Sequence, residues 1–144
     1  TLAPADARSG APTLRVAVFG AARSRRVWLR PDRFNFRVVD PTGATLECHI
    51  PPTGGVPIPD LFSRIDARRA TRFSLDGGEY CGDDAFAMPG IYEVTPIAVL
   101  DEDGSAWDLD AVVGTFEGSP VPVRVRGARG DRDVPADVLA RILR

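Results

Sequence analysis

Alternating apolar and polar side chains run through most of this chain. The alternation is clearest in residues 13–20, where Leu14, Val16 and Val18 are separated by charged or small residues. Successive side chains of a strand point to opposite faces, so this pattern predicts a strand with one buried and one wet face. The same period, or a short apolar run, predicts further strands at 27–30, 34–38, 44–50, 71–76, 91–100, 107–116 and 121–125.

Proline and glycine punctuate these segments. Asp40-Pro41-Thr42-Gly43 predicts a tight hairpin turn, because proline suits the second turn position and glycine the fourth. Residues 51–59 hold four prolines, which donate no ladder hydrogen bonds, so they predict an irregular crossover. Residues 60–65 are expected to form a short turn of helix or strand, and residues 79–87 a loop. Pro122 predicts either an edge position for strand 121–125 or a missing N–H on the solvent side.

The strand at 91–100 is expected to organise the rest of the fold. Pro89 and Gly90 predict a turn, since proline presets the first corner and glycine supplies a positive φ at the second. The strand that follows then points Tyr92 and Val94 toward the core. Pro89, Gly90 and Tyr92 are therefore predicted to be structural residues.

One helix is predicted, at residues 133–143. Asp133 can cap its first turn, Pro135 suits that turn, and Val138 and Ile142 lie on an apolar stripe. A helix of about 10 residues is marginal alone, so we expect it to dock on the domain or on a partner.

The segments divide the chain into three parts. Residues 1–12 predict a flexible leader or linker, 13–126 a β domain, and 127–144 a loop with the docking helix. Seven to nine short strands separated by turns predict an all-β fold, an antiparallel β-sandwich with a short C-terminal helix.

The two cysteines, Cys48 and Cys81, are informative as a pair. An even count in a turn-rich β chain indicates a disulfide and an oxidising compartment. Such a bridge closes a loop of roughly 30 residues, a constraint of about 3–4 kcal/mol in the chain-entropy model. The alternative is two unrelated buried thiols.

Residues 14–125 resemble the immunoglobulin-like sandwich domains of bacterial secreted and envelope proteins, including lipoproteins. The resemblance is carried by Pro89-Gly90-Ile91-Tyr92-Glu93-Val94, by the hairpin turn at 40–43, and by Cys81 placed before the Tyr92 strand. The chain departs from antibody-type domains, whose second cysteine follows the tyrosine by two residues, because that position is Val94 here. The resemblance implies a fold and a compartment but no antibody-type activity.

Composition and charge argue against two classes of function, nucleic-acid binding and membrane spanning. The 144 residues carry a net charge of −2, and a general nucleic-acid binder usually shows a basic excess, so we expect no nucleic-acid partner. No run of about 18 apolar residues occurs, so no membrane span is expected. The first residues show no signal peptide, and the sequence leaves open a lipid anchor upstream of Thr1.

Candidate chemistry is sparse. His49 is the single histidine, which argues against a histidine-pair metal site, and we expect it to face solvent. The acidic segment 101–110 lacks the later acids of a calcium loop and predicts a solvated hairpin tip. Phosphate-binding, nucleophile-elbow and Cys-x-x-Cys motifs are lacking. We therefore expect no catalytic residue, no metal ligand and no cofactor.

Arginines crowd the second and third predicted strands, with Trp28 and Phe34 among them; they are Arg23, Arg25, Arg26, Arg30, Arg33 and Arg37. The two interpretations are a wet sheet face and a contact for an acidic protein partner. Arg26, Arg30 and Trp28, with Val138 and Ile142 of the predicted helix, are the candidate interface residues.

The function expected from the sequence is a non-catalytic, extracytoplasmic binding or structural module that acts through protein contacts, for example as an accessory subunit of an envelope assembly. The first alternative is a small-ligand or carbohydrate-binding module with Trp28 and Trp107 as stacking platforms. The second is a protease pro-domain or inhibitor that presents residues 51–59. The sequence does not identify the partner or the oligomeric state.

Overall fold

The computed structural model describes residues 5–7, 10–20, 23–53 and 57–126. Ten strands occur in these ranges, and seven of them are four residues or longer. The strands are β1 (Ala5–Ala7), β2 (Thr13–Val18), β3 (Arg25–Val27), β4 (Phe34–Val39), β5 (Thr45–His49), β6 (Ser63–Ile65), β7 (Thr71–Asp76), β8 (Gly90–Leu100), β9 (Gly114–Glu117) and β10 (Val121–Val125). The predicted helix, with Val138 and Ile142, lies outside the described residues.

The larger sheet is built around β8. Its strand order is β1-β10-β8-β4-β5, and β9 pairs with the C-terminal part of β8 beyond the end of β10. All pairs are antiparallel except β1 with β10, which is parallel. The predicted hairpin is confirmed, with Asp40 accepting hydrogen bonds from the backbone N–H groups of Thr42 and Ala44 at 2.8 and 3.0 Å.

The second layer consists of two short ribbons. β2 pairs with β7 antiparallel, with Leu14 opposite Leu75 and Val16 opposite Phe73. β3 pairs with β6 antiparallel beyond the end of that ribbon. The inner faces of both layers supply the fully buried side chains, among them Leu14, Val16, Phe34, Phe36, Val38, Tyr92, Val94 and Val123. The molecule is therefore the all-β sandwich that the alternating pattern predicts.

The segment predicted as a loop at 79–87 is helical instead. Gly77–Cys81 forms helix α1, and Asp83–Phe86 forms a turn of 3-10 helix. Asp76 caps α1 by accepting a hydrogen bond from the Gly78 N–H at 2.8 Å. The two glycines after Asp76 therefore start a helix. Tyr80 and Phe86 from this segment are buried and close one end of the core.

The disulfide joins that helical segment to the larger sheet. Cys48 of β5 and Cys81 at the end of α1 are bridged, with their Cα atoms 4.7 Å apart. The Cys48 side chain is buried in the main core, where Phe36 and Tyr80 meet edge to face at 5.0 Å. The bridge thus fixes the position of α1 against the sheet.

Two predicted strand boundaries are wrong. Residues 107–116 are not one strand, because Gly104 and Asp108 adopt left-handed backbone conformations (φ 71° and 54°) on either side of a 3-10 turn. The second strand occupies 25–27 rather than 27–30. Of the two alternatives predicted for Pro122, the edge position does not hold, because β1 pairs with β10 from Val123 onward. Pro122 is exposed and precedes the first residue paired with β1, which agrees with the other alternative, a missing N–H on the solvent side. Three residues of the segment expected to be a leader, Ala5–Ala7, form that covering strand.

Candidate functional site

Six arginines gather at the end of the sandwich where β3 and β6 pair. We call this set the arginine surface; its members are Arg23, Arg25, Arg26, Arg64, Arg68 and Arg69. Five of the six residues are exposed, and Arg25 is half-buried. Two shallow clefts run between them, one of about 500 Å³ and one of about 340 Å³.

The β3–β6 ribbon brings two sequence-distant groups of arginines together. Arg26 lies directly opposite Arg64 in the antiparallel register. Like charges in directly opposite positions of a sheet repel each other and destabilise the pair. Beyond β6, the chain turns back through Asp66 and Arg69, which face each other in an isolated bridge. This tight turn carries Arg68 and Arg69 to the same end of the molecule as Arg23.

Gly20 holds this turn in place. Its N–H donates to the Asp66 carbonyl at 3.1 Å, which ties the chain after β2 to the turn after β6. A Cβ at position 20 would lie 2.9 Å from the Asp66 carbonyl carbon and 3.0 Å from the Ile65 carbonyl oxygen. Both atoms belong to the backbone, so only glycine permits this approach.

Carboxylates balance the arginine surface only in part. Asp66 pairs with Arg64 at 3.5 Å and also accepts a hydrogen bond from the Ser24 hydroxyl. Asp110 pairs with Arg25 at 3.8 Å, although its side chain is 98% exposed, so this pair contributes little. Within the described residues, the other four arginines form no ion pair; they are Arg23, Arg26, Arg68 and Arg69.

The remaining arginines of the predicted crowd lie elsewhere and have other partners. Arg33 pairs with Asp101 at 2.7 Å, and Arg37 bridges Glu47 and Glu117 at 2.9 and 2.7 Å. The Arg37 contacts cross strands of the larger sheet, whereas the Arg33 pair joins the turn before β4 to the residue after β8. Of the predicted crowd, Arg23, Arg25 and Arg26 therefore lie in the arginine surface, whereas Arg33 and Arg37 do not.

The sequence predicted Trp28 to be an interface residue, but the structure buries this side chain in the core. Its side chain is 2% exposed and packs against Phe62, with ring centroids 5.2 Å apart, in a second small core that also includes Ala111. Arg30 lies over the Trp28 ring with its guanidinium carbon 5.4 Å from the centroid, a cation–π contact. Trp107 is half-buried against Phe62. A pair of exposed tryptophan platforms for a sugar is therefore not present.

Tyr92 performs a structural role at the start of β8. Its hydroxyl donates to the Met88 carbonyl at 2.8 Å while the ring is buried against Phe86. This hydrogen bond ties the turn before β8 to the strand that follows it. Burial raises the pKa of the Tyr92 hydroxyl above its ordinary value. Gly90 in the same turn has φ 149°, and a Cβ there would lie 2.6 Å from the Pro41 ring.

Other candidate side chains do not assemble into a site. His49 is exposed on β5. Asp103 accepts a hydrogen bond from the Ser105 N–H at 2.9 Å, which lowers the pKa of its carboxyl. In the described ranges, no three His, Cys, Asp or Glu residues gather as metal ligands would. In the described part of the segment predicted as a crossover, the Thr53 N–H donates to the Asp32 carboxylate at 2.8 Å.

No protein-family model, curated protein or solved structure matches this chain. None of the helices in the described part of the chain has the length and apolar character needed to cross a membrane.

Proposed function

We propose that this protein is a non-catalytic, extracytoplasmic binding module that holds an acidic protein partner on its arginine surface. The observation that carries the proposal is the convergence of six arginines from two separate parts of the chain on one end of the sandwich. Four of them form no ion pair within the described residues, which favours a partner that supplies carboxylates.

The chemistry of arginine favours carboxylates as the bound groups. A guanidinium presents its N–H donors in a planar fork that fits a carboxylate with two parallel hydrogen bonds. Arg26 and Arg64 stand opposite each other, and like charges in opposite positions repel at a cost in stability. An acidic side chain between them offsets that cost, and the shallow clefts suit several such contacts across a protein surface.

Two further features support the assignment. The bridge between Cys48 and Cys81 is typical of chains that mature in an oxidising compartment outside the cytoplasm. The resemblance to envelope and secreted sandwich domains favours the same location and a role as an accessory subunit of an envelope assembly. Within the described residues, few potentially catalytic side chains lie close together, which favours a binding function over a catalytic one.

The test measures binding to a defined probe, a fluorescent polyglutamate peptide, by anisotropy at low and at physiological salt. Arg68→Gln/Arg69→Gln removes two charges from the arginine surface. The matched control, Arg15→Gln/Arg124→Gln, removes two charges from other strands, one in each layer. We expect the first variant to weaken binding about tenfold and the control to bind like the wild type.

Two results would overturn the proposal. One is equal weakening by both variants, because binding would then follow net charge alone. The other is tighter binding of a single-stranded oligonucleotide of matched charge than of the peptide, which would make the ligand a nucleic acid.

A further inference from the structure

Within the described residues, β9 is an edge strand of the larger sheet. It pairs with β8 on one side, and within the described residues no strand pairs with its other side. All four of its residues, Gly114–Glu117, are exposed. Natural edge strands are guarded by shortness, proline, charged side chains or bulges. β9 has four residues, no proline and one charged side chain, Glu117, whose carboxylate is bound by Arg37.

The backbone groups on the free side can be assigned from the ladder. The Gly118 N–H donates to the Pro96 carbonyl at 2.8 Å, so Gly118 and Pro96 form a hydrogen-bonded pair. Antiparallel ladders alternate hydrogen-bonded and non-hydrogen-bonded pairs. Phe116 therefore bonds to Ala98 in β8, whereas the N–H and C=O groups of Thr115 and Glu117 point away from β8.

The side chains next to this edge are unusually apolar for a surface. Phe19, Val113 and Phe116 are 56%, 52% and 49% exposed. Phe19 and Phe116 line a cavity of about 250 Å³ between the layers, with buried Phe34 as part of its wall. Glu117 is on the opposite face of β9, where its carboxylate binds Arg37. The edge thus has one apolar and one polar face.

We propose that β9 pairs antiparallel with β9 of a second copy of this chain, with Phe116 opposite Phe116. In this register Thr115 of each copy lies opposite Glu117 of the other, and their outward groups form four backbone hydrogen bonds. The two Phe116 rings meet on the inner side, beside the cavities. On the outer side each Thr115 hydroxyl can donate to a Glu117 carboxylate.

The charges distinguish this register from its neighbours. Hydrogen bonding between the two β9 strands requires Thr115 and Glu117 of one copy to face Thr115 or Glu117 of the other. The two alternative registers are therefore shifted by two residues in either direction. One of them places Glu117 opposite Glu117, and like charges in opposite positions repel. The other places Thr115 opposite Thr115 and each Phe116 opposite Gly114, which removes the aromatic pair. The self-complementary register also gives a closed twofold dimer.

The experiment measures mass by sedimentation equilibrium from about 1 µM to about 1 mM, because a short strand gives a weak interface. Thr115→Pro removes an outward N–H and leaves the ladder to β8 intact. Phe116→Ser removes the aromatic pair. We expect each change to raise the dimer dissociation constant at least about tenfold. The control Leu46→Ser, at a 44% exposed apolar residue on β5, should dimerise like the wild type.

A second readout does not depend on any variant. Amide exchange of Thr115 and Glu117, resolved by NMR, should slow as the wild-type concentration rises. A wild-type chain that stays monomeric at about 1 mM would overturn the proposal. So would a dimer whose formation leaves both amides unprotected, or one that survives Thr115→Pro and Phe116→Ser unchanged.

Discussion

At the scale of single residues, identical side chains have different roles because their neighbours differ. Arg37 is held between two glutamates, and these contacts raise the pKa of its guanidinium. Arg26 faces another arginine, Arg64, across the β3–β6 ribbon. A residue's type therefore predicts its charge, and only the register of its strand determines whether that charge is already neutralised.

The Tyr92 hydroxyl is a single-residue test of the turn before β8. Tyr92→Phe removes its hydrogen bond to the Met88 carbonyl and should lower the free energy of unfolding by about 1 kcal/mol. The measurement is the urea midpoint at constant m-value. Met88→Leu is the control, because the accepting group is backbone and the Met88 side chain is 46% exposed. Equal midpoints for Tyr92→Phe and the wild type would contradict this role.

Gly20 tests the link between packing and the arginine surface. Gly20→Ala places a Cβ against the Asp66 backbone, and the required shift should cost roughly 1–3 kcal/mol and displace Arg68 and Arg69. We expect weaker binding of polyglutamate as well as a lower urea midpoint. Gly43→Ala, at φ 90° with open space around it, should lower the midpoint without changing binding. Full binding by Gly20→Ala would contradict the link.

At the scale of elements, the disulfide is the main constraint on α1. The helix has five residues, too few to be stable alone, and it is fixed by the Asp76 cap, by burial of Tyr80 and by the bridge. The sequence predicted the bridge from the two cysteines but gave α1 as a loop. The reason is that glycines are poor helix formers, and their capping by Asp76 becomes decisive only once Tyr80 is buried.

Removing the bridge should be costly. The cysteines are 33 residues apart, so Cys48→Ala/Cys81→Ala should lower the free energy of unfolding by about 3–4 kcal/mol. Denaturation by urea measures the loss. The wild type treated with a reductant is the control and should lose a similar amount. A loss below about 1 kcal/mol in both would show that α1 is held by its packing rather than by the bridge.

At the scale of the whole molecule, sequence patterns predict features set within one segment and miss contacts between segments that are distant in sequence. Alternation predicts the sandwich and the inward direction of Tyr92, since both follow from strand geometry within one segment. The arginine surface could be only half predicted, because Arg64, Arg68 and Arg69 reach it through long-range pairing with β3. Trp28 was placed wrongly for the same reason, since its partner Phe62 is distant in sequence.

The stability of the whole molecule should fall at alkaline pH because of Tyr80. Its hydroxyl donates to the Pro31 carbonyl, and burial, with the negative charges of Glu79 and Asp32, raises its pKa from 10.0 to about 12. The unfolded chain therefore loses this proton first, and stability present below pH 10 is lost as the pH rises toward 12. Urea midpoints across this range should fall less steeply for Tyr80→Phe. Parallel curves for variant and wild type would contradict the assignment.

The acid side of the stability profile should depend on Asp32. The side chain of Asp32 is 1% exposed, and burial alone would raise the pKa of its carboxyl. Hydrogen bonds from Thr53 and the charges of Arg33 and Arg30 outweigh burial, so the pKa of this carboxyl is lowered. The unfolded carboxyl, near 3.8, therefore binds its proton first as the pH falls, so stability present above that value is lost below it. Asp32→Asn should flatten this loss in urea midpoints measured through that range. An unchanged slope for Asp32→Asn would place the acid sensitivity elsewhere.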